Sequence, residues 1–569
     1  MNHPKYKKLI CIYLLLFIQI SYGAKIIYSV AGVDGQLYTQ IMNSISNEPD
    51  AQADEDLEHP AQDPAQYPTE YLNNIDTIKN IAKPHGYFFV TVKPNLTKKD
   101  GNWYADYNII LGKKMMVTSI DIVIKPNKLV IPKGIIKKND DFTLERYQQS
   151  KDILLSYAKT HGFPNASIAD SRVKIDLDKR TCAINFILEL GKNYTFGEVI
   201  YDTKKINHAF LDKFAPFAKG DLFDKNKLPI FKKNLEKSNL FTQATVSPGS
   251  SNTTQTTINV NLELKPKKEY LIGIGFDTDE YIRGLFEMSN NLASTYGHTS
   301  TTYAEASTSE LELGFKYYVP GRNPINDKYI YSIYVDTKND QKVGTSNYIA
   351  SSAVKSKTHN DLTLTHSMNI HYEKSTPNNS KSYHGILMYP KASLMYYNNT
   401  AGPYAVQGKM ISWYALAAAE AFGSSINMFK SELTANMNYN ITSNISLYAK
   451  IQAGSIITNN FSDVPLTFQF TAGGSSSLRG YSYNSIGPNK VIELLNLELY
   501  HKIYDSWYFM MFYDIGNTFS QFQTHNFNIG TGPGILWKTP IGDAKLSIAQ
   551  AITKPNKPWS IQFSFNPIL

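Results

Sequence analysis

The chain has 569 residues, a formal charge of +8, two cysteines, 39 tyrosines, 28 phenylalanines and a mean hydropathy of −0.31. So mild a charge does not supply the clustered basic face that a nucleic-acid partner requires. After residue 23 no apolar run approaches the roughly 18 residues of a membrane helix, which leaves strands closed into a barrel as the way an aromatic-rich chain could still span a bilayer.

At the start, Lys5, Lys7 and Lys8 precede an apolar run from Leu9 to Ile18, and Ser21-Tyr22-Gly23 leads into Ala24. This predicts a secretory signal peptide over residues 1–23, since the apolar run is too short to span. Its removal takes three lysines from the +8, leaving +5, and takes Cys11 as well. Cys182 then stands alone, so the exported chain must hold together without an intramolecular disulfide.

Three segments repeat: "HGYFFVTV" at His85, "HGFPNASI" at His161 and "SNLFTQATV" at Ser238. Gly86 and Gly162 are 76 residues apart and Asn239 follows after 77, a domain-sized period. In the second copy Thr143 predicts a helix N-cap, Leu144, Tyr147, Leu154 and Ala158 one helix face, and Gly162 its end. The order strand, helix, strand, strand resembles the POTRA module, two helices on a three-stranded sheet. Three copies are expected over residues 24–113, 114–191 and 192–266. The stretch from Asn47 to Glu70 in the first copy is acidic, proline-bearing and poor in aliphatics, and reads as a solvated insertion.

From residue 267 the pattern alternates. Phe429, Leu433, Met437 and Tyr439 oppose Lys430, Glu432, Asn436 and Asn438; Ile445, Leu447 and Ile451 oppose Ser446, Tyr448 and Gln452. Tyr329, Tyr331, Ile333 and Val335 behave likewise, as do Tyr270, Ile272, Ile274 and Phe276. One apolar and one wet face, at about 19 residues per strand and loop, predict a transmembrane antiparallel barrel of about sixteen strands over residues 267–569.

The stretch "GGSSSLRGYSYNSIGP", Gly473–Pro488, interrupts this alternation. Arg479 there needs carboxylate partners if it lies inside the barrel. Glu498 in "LNLELY" and Asp514 in "FYDIGN" alternate with outward-type neighbours and should point inward. Gly473, Gly474 and Gly480 permit the loop to fold back into the lumen as a tethered plug.

These motifs, with "GTGPGILWKTPIGDAKLSIA" after them, resemble the ordered signature of the outer-membrane-protein assembly superfamily, in which POTRA modules precede a sixteen-stranded barrel. The resemblance covers nearly the whole mature chain, the acidic stretch being the main departure. Three POTRA-like units, the length and the Arg-Gly-Tyr wording are most similar to its TamA branch, against five units in BamA and two in two-partner-secretion transporters. The resemblance implies that Arg479-Gly480-Tyr481 docks on a wall receptor of Glu498, Phe512, Asp514 and Gly516. It also implies a weak lateral seam between Ile272, Gly273, Ile274 and Gly275 of the first strand and Ile561, Gln562, Phe563 and Phe565 of the last, with Gly273 apposed to the region of Gln562. Glycines in the first strand and Pro567 after the last would weaken the pairing. Implied partners are unfolded outer-membrane clients, outer-membrane lipid and an inner-membrane-anchored TamB-like protein reached through the first POTRA unit, with no cofactor.

Other classes fit less well. No G-x-S-x-G elbow is present, "IGIGFD" at Ile272 has no helix after it, and His366 and His371 should face opposite sides of a strand and make a poor metal pair. A passive porin has no need of the N-terminal repeats. A two-partner-secretion transporter, which would export a polypeptide through the barrel, would have two such units and a helix ahead of them.

Overall fold

Alternation of apolar residues along strands, and their spacing by three or four along helices, builds three small α+β modules in succession before a barrel. The computed structural model describes residues 25–46, 57–60, 67–100, 102–126, 129–249, 254–378, 381–398, 408–522, 526–540 and 542–567. The expected signal peptide and most of the acidic stretch lie outside them.

In the first module β1 (Lys25–Ala31), β2 (Leu57–Pro60), β3 (Thr91–Lys99) and β4 (Asn102–Ile110) form a sheet in the order β2-β1-β4-β3. Helices α1 (Gly35–Ser46) and α2 (Tyr67–Ala82) cover it. Leu37, Ile41 and Ile45 recur one helical turn apart and meet Ile26, Tyr28, Ala105, Tyr107 and Ile109, which alternate along β1 and β4. The acidic stretch is not wholly an insertion. Leu57–Pro60 pairs with Lys25–Tyr28 as an edge strand, and Tyr67–Glu70 already belongs to α2. An edge strand is held by its backbone, so a composition poor in aliphatics does not forbid it.

The second module has β5 (Met116–Lys125), α3 (Leu144–Thr160), β6 (Ser167–Asp176) and β7 (Thr181–Glu189), with sheet order β5-β7-β6. Among its described residues α3 is the one α-helix, not two. Thr143 Oγ1 accepts the Arg146 N–H at 3.1 Å. The buried stripe is Tyr147, Ser150, Leu154 and Ala158, while Leu144, the first residue of the helix and set to one side of that stripe, is exposed. Cys182 is buried in this core, and burial pushes its thiol up to about 11, which leaves it protonated and unreactive near neutrality.

The third module contains β8 (Thr195–Tyr201), α4 (His208–Leu211), α5 (Lys227–Lys237), β9 (Phe241–Pro248) and β10 (Gln255–Leu264), its sheet ordered β8-β10-β9. Residues 197–218 and 227–250 of this module fall in the same compact unit as the barrel. Asn207 N–H donates to Thr295 O at 2.9 Å in the turn between the second and third barrel strands, and Gly297 there lies against the Phe210 ring and Leu240.

The sixteen barrel strands close in sequence order, each antiparallel to its neighbour. Tyr331, Ile333, Val335, Phe429, Tyr439 and Ile451 point outward and are exposed, whereas Asp336, Lys430 and Ser446 point inward and are buried. His366 is exposed and His371 buried, as strand parity requires.

The three sequence repeats mark module junctions. Gly86 at φ 92° accepts the Met115 N–H on its carbonyl at 2.9 Å, Gly162 at φ 90° accepts that of Tyr194 at 2.7 Å, and Leu240, after Asn239 at φ 61°, accepts that of Lys265 at 3.0 Å. In each case a left-handed residue follows the last helix of its module, and its own carbonyl or the next residue's is turned toward the linker that follows. A Cβ on Gly86 would sit on the Phe142 carbonyl oxygen of the second module, while one on Gly220, at φ 95°, would meet nothing within 4 Å. Gly220→Ala should therefore cost only the conformational penalty, about 1–2 kcal/mol. Gly86→Ala should cost more and open the 111–115 linker. Limited proteolysis of the full chain in detergent tests this: equal cleavage of both variants would refute the junction role.

Candidate functional site

Between the eleventh strand (Ile445–Thr458) and the twelfth (Val491–Tyr504), residues 459–490 fold into the lumen instead of making a turn. Apolar packing holds the near end: Phe468, Phe470 and Ala472 join Leu387, Leu416, Met428, Ile456, Ile492 and Leu494 of the wall. Part of the lumen is thus greasy rather than wet, since loop side chains must be buried against something.

At the far end Arg479 is 4% exposed, Glu498 5% and Asp514 0%. Asp514 lies on the thirteenth strand (Trp507–Phe519). Arg479 Nε and Nη2 both donate to its carboxylate at 2.7 Å, and the Arg479 backbone N–H adds a third bond at 3.0 Å. Nη1 lies 2.7 Å from Glu498 Oε1, and the guanidinium carbon sits 3.8 Å from the centre of the Phe512 ring. Lys545 on the fifteenth strand (Gly542–Ala551) reaches Glu498 at 3.1 Å, and Tyr500 hydroxyl also bonds it. Two cations meet two carboxylates, so the cluster is neutral. Planar fork geometry and a stacked ring suit arginine and not lysine.

Alternation along the strands located Glu498 and Asp514, and the family resemblance pointed to Phe512, but other contacts were not foreseen. A Cβ at Gly516 would strike the Glu493 carbonyl and Leu494 of the adjoining strand; the glycine that lets the Arg479 backbone approach is Gly530, where a Cβ would overlap the Arg479 carbonyl. Asn496 Nδ2 donates to Ser477 O and to Asp514 Oδ1. Lys545 could have been found by parity, because Leu546 and Ile548 on either side of Ser547 face outward. Gly473, Gly474 and Gly480 have φ of 111°, 98° and 92°. Tyr481 is buried, its hydroxyl 2.6 Å from Thr553 Oγ1.

Loop contacts extend round the barrel. Ser475 N–H and hydroxyl both donate to Asp279 at 2.7 Å, in the turn after the first strand. Buried Glu373 on the seventh strand (Leu362–Pro377) accepts the Leu466 N–H at 2.8 Å and the Thr467 hydroxyl, with His371 Nε2 at 3.0 Å.

Where the barrel closes, the first strand (Lys268–Asp277) pairs with the second (Tyr281–Asn290) over all ten residues. Its other edge meets the last strand (Trp559–Pro567) only at Phe276 with Phe565 and Asp277 with Ser564. Thr278 N–H to Phe563 O at 2.9 Å extends the contact by one bond. Ile272 and Ile274 are 72% and 70% exposed, Ile561 is 69% exposed, and Gln562 faces inward, buried. Gly273 and Gly275 also face inward, with no cross-seam partner among the described residues. The sequence expectation that Gly273 and Gln562 are apposed is wrong in register. Continuing the observed pairing sets Gln562 opposite Asp279, six residues beyond Gly273, because the strands overlap only at their C-terminal ends. A polar cavity of about 390 Å³ lies just inside, lined by Asp277, Arg283, Arg479, Lys545 and Gln562.

Removing Arg479 would leave Glu498 and Asp514 buried with one cation fewer. Arg479→Ala should destabilise the seated loop by roughly 3–5 kcal/mol, and Arg479→Lys should recover only part of this. The double-mutant cycle with Asp514→Asn, measured by thermal unfolding in detergent, should give a coupling above about 1.5 kcal/mol. A coupling near zero would mean that the pair does not hold the loop.

Comparison with known proteins gives this architecture a family. BamA from Haemophilus ducreyi lacking POTRA domains 1–3 superposes with a TM-score of 0.65 at 14% identity, covering 79% of this chain and 99% of that one. CdiB from Acinetobacter baumannii gives 0.49 at 12% identity over 89% and 99% of the two chains. The first match shows a BamA-like fold. Residues 253–567, more than half of the sequence, match the Omp85 superfamily domain, and this chain belongs to the Omp85 superfamily of outer-membrane assembly and transport barrels.

Proposed function

We propose that the chain is a TamA-like insertase of the Gram-negative outer membrane, which gives client proteins an unpaired strand edge on which to form β-structure. The observation that carries this is the seam: two register pairs close a barrel whose first two strands share ten. In lipid an unpaired backbone N–H or C=O costs several kcal/mol, so the free edge of residues 268–275 is a place where an incoming strand gains more than it would in water. Client folding then supplies the drive, and no covalent step or cofactor is needed. The three N-terminal modules, in this reading POTRA units over residues 24–113, 114–191 and 192–266 in the periplasm, receive unfolded clients. The first of them would meet an inner-membrane-anchored TamB-like partner. The Arg479 cluster would keep the loop seated so that the lumen stays closed while the seam works.

Export of a polypeptide through the lumen, as in two-partner secretion, is the alternative. Three modules and a lumen occupied by residues 459–490 argue for the insertase.

The register directs the test. Phe276 and Phe565 are directly opposed, within the Cα separation that a disulfide accepts, and buried Cys182 will not compete. Phe276→Cys with Phe565→Cys should crosslink readily, leave the barrel folded by its heat-modifiable gel mobility, and stop assembly of a β-barrel client into liposomes until a reductant is added. Full client assembly by the verified crosslinked protein would exclude a working seam.

A further inference from the structure

Inside the barrel, away from the Arg479 cluster, Asp336 on the fifth strand (Asp327–Asp340) is 1% exposed, and neither carboxylate oxygen has a hydrogen-bond partner. Glu310 and Glu312 on the fourth strand (Glu310–Pro320) each bring a carboxylate oxygen to it, all three within 4.8 Å of one another. The local cation does not serve Asp336. Lys338 Nζ is committed to Glu310 at 2.6 Å, with Glu280 at 3.8 Å. Tyr303 hydroxyl donates to one oxygen of Glu312, leaving the other. Four carboxylates, Glu280, Glu310, Glu312 and Asp336, therefore share one ammonium, and Asp336 among them is buried. A buried carboxylate without a partner costs several kcal/mol. The Arg479 cluster, by contrast, balances two against two.

Room exists for what is missing. A cavity of about 270 Å³ opens beside these groups, lined by Glu310, Asp336, Ser346 and Tyr348 of the wall and by Thr467 and Asn484 of the 459–490 loop. Calcium binds oxygen ligands at about 2.3–2.6 Å, so two oxygens on one ion can stand up to about 5 Å apart. The 4.8 Å spread of the three carboxylates fits that span, and the cavity admits the waters that complete the shell. A ligand set of oxygen alone selects hard ions over zinc or copper.

We propose that Asp336, Glu310 and Glu312 hold a divalent cation of calcium's size in the cavity between the barrel wall and the inserted loop. The ion supplies the charge that Lys338 cannot. Through its water shell it also faces Thr467 and Asn484, and Asn484 Nδ2 already donates to Asp340 Oδ2 at 2.7 Å on the same strand as Asp336. The loop is thereby tied to the fourth and fifth strands as well as to the twelfth and thirteenth.

Terbium, a calcium mimic excited through nearby tyrosine, gives a direct test on the purified full-length protein in detergent. Tyr348 is opposite Asp336 in the register and Tyr303 bonds Glu312, so a bound ion should luminesce. The expected result is saturable emission displaced by calcium. Asp336→Asn and Glu310→Gln should each weaken binding on the order of tenfold or more. Glu432→Gln, a lumen carboxylate already bonded by Tyr414 and Gln452, should leave it unchanged. Folding of each variant is checked by heat-modifiable mobility, and Glu310→Gln decides if Asp336→Asn does not fold. Undiminished binding in the folded cluster variants would place the ion elsewhere and overturn the proposal. Absence of calcium-displaceable emission from the wild-type protein would overturn it too.

Discussion

Lipid offers no hydrogen bonds, and that constraint decides most of this molecule. Every backbone N–H and C=O in the barrel must find its partner on a neighbouring strand, which is why fifteen of the sixteen strand interfaces are paired over long registers and why residues alternate so regularly between the lipid and the lumen. The sixteenth interface is the exception. Because its strands overlap only at Phe276, Asp277, Ser564 and Phe565, one edge is left with backbone groups unpaired, in a protein that otherwise pairs them wherever it can.

The lumen obeys a second constraint, electrical neutrality at low dielectric. Inward positions on alternating strands collect charged residues, and a loop folded among them must bring opposite charges or apolar surface. Residues 459–490 bring both: Phe468 and Phe470 against Leu387, Ile456 and Leu494 at one end, and Arg479 against Asp514 and Glu498 at the other. Small residues set the distances. Gly530 lets the Arg479 backbone approach the fourteenth strand (Asn528–Thr539) closely enough for the guanidinium fork to reach Asp514.

Much of this was legible in the sequence, because it depends on periodicity. The alternation around Tyr331 and Phe429 gave the barrel and its faces, parity gave Glu498 and Asp514, and the spacing of Gly86, Gly162 and Asn239 gave the modules. Registers were not legible. Alternation says which face a residue occupies but not which residue lies across from it, so Gly273 was matched to Gln562 when the strands in fact overlap six positions away. The roles of Gly530 and Asn496 depend on the path of a loop packed by tertiary contacts, for which no local period exists. Leu57–Pro60 was missed because an edge strand is recognised by its backbone and not by its composition.

The seam also has a meaning for the order of events in folding. Every other barrel interface joins strands adjacent in the sequence, whereas Phe276 and Phe565 are 289 residues apart. Going from a turn-sized loop of about a dozen residues to one of that length is between four and five doublings, an added chain-entropy cost of about 3 kcal/mol. Two register pairs, at about 1 kcal/mol per hydrogen bond, barely offset it. The ends can therefore meet only after the intervening sheet has formed and curled, which makes closure the last step of assembly and reopening the cheapest excursion from the finished state.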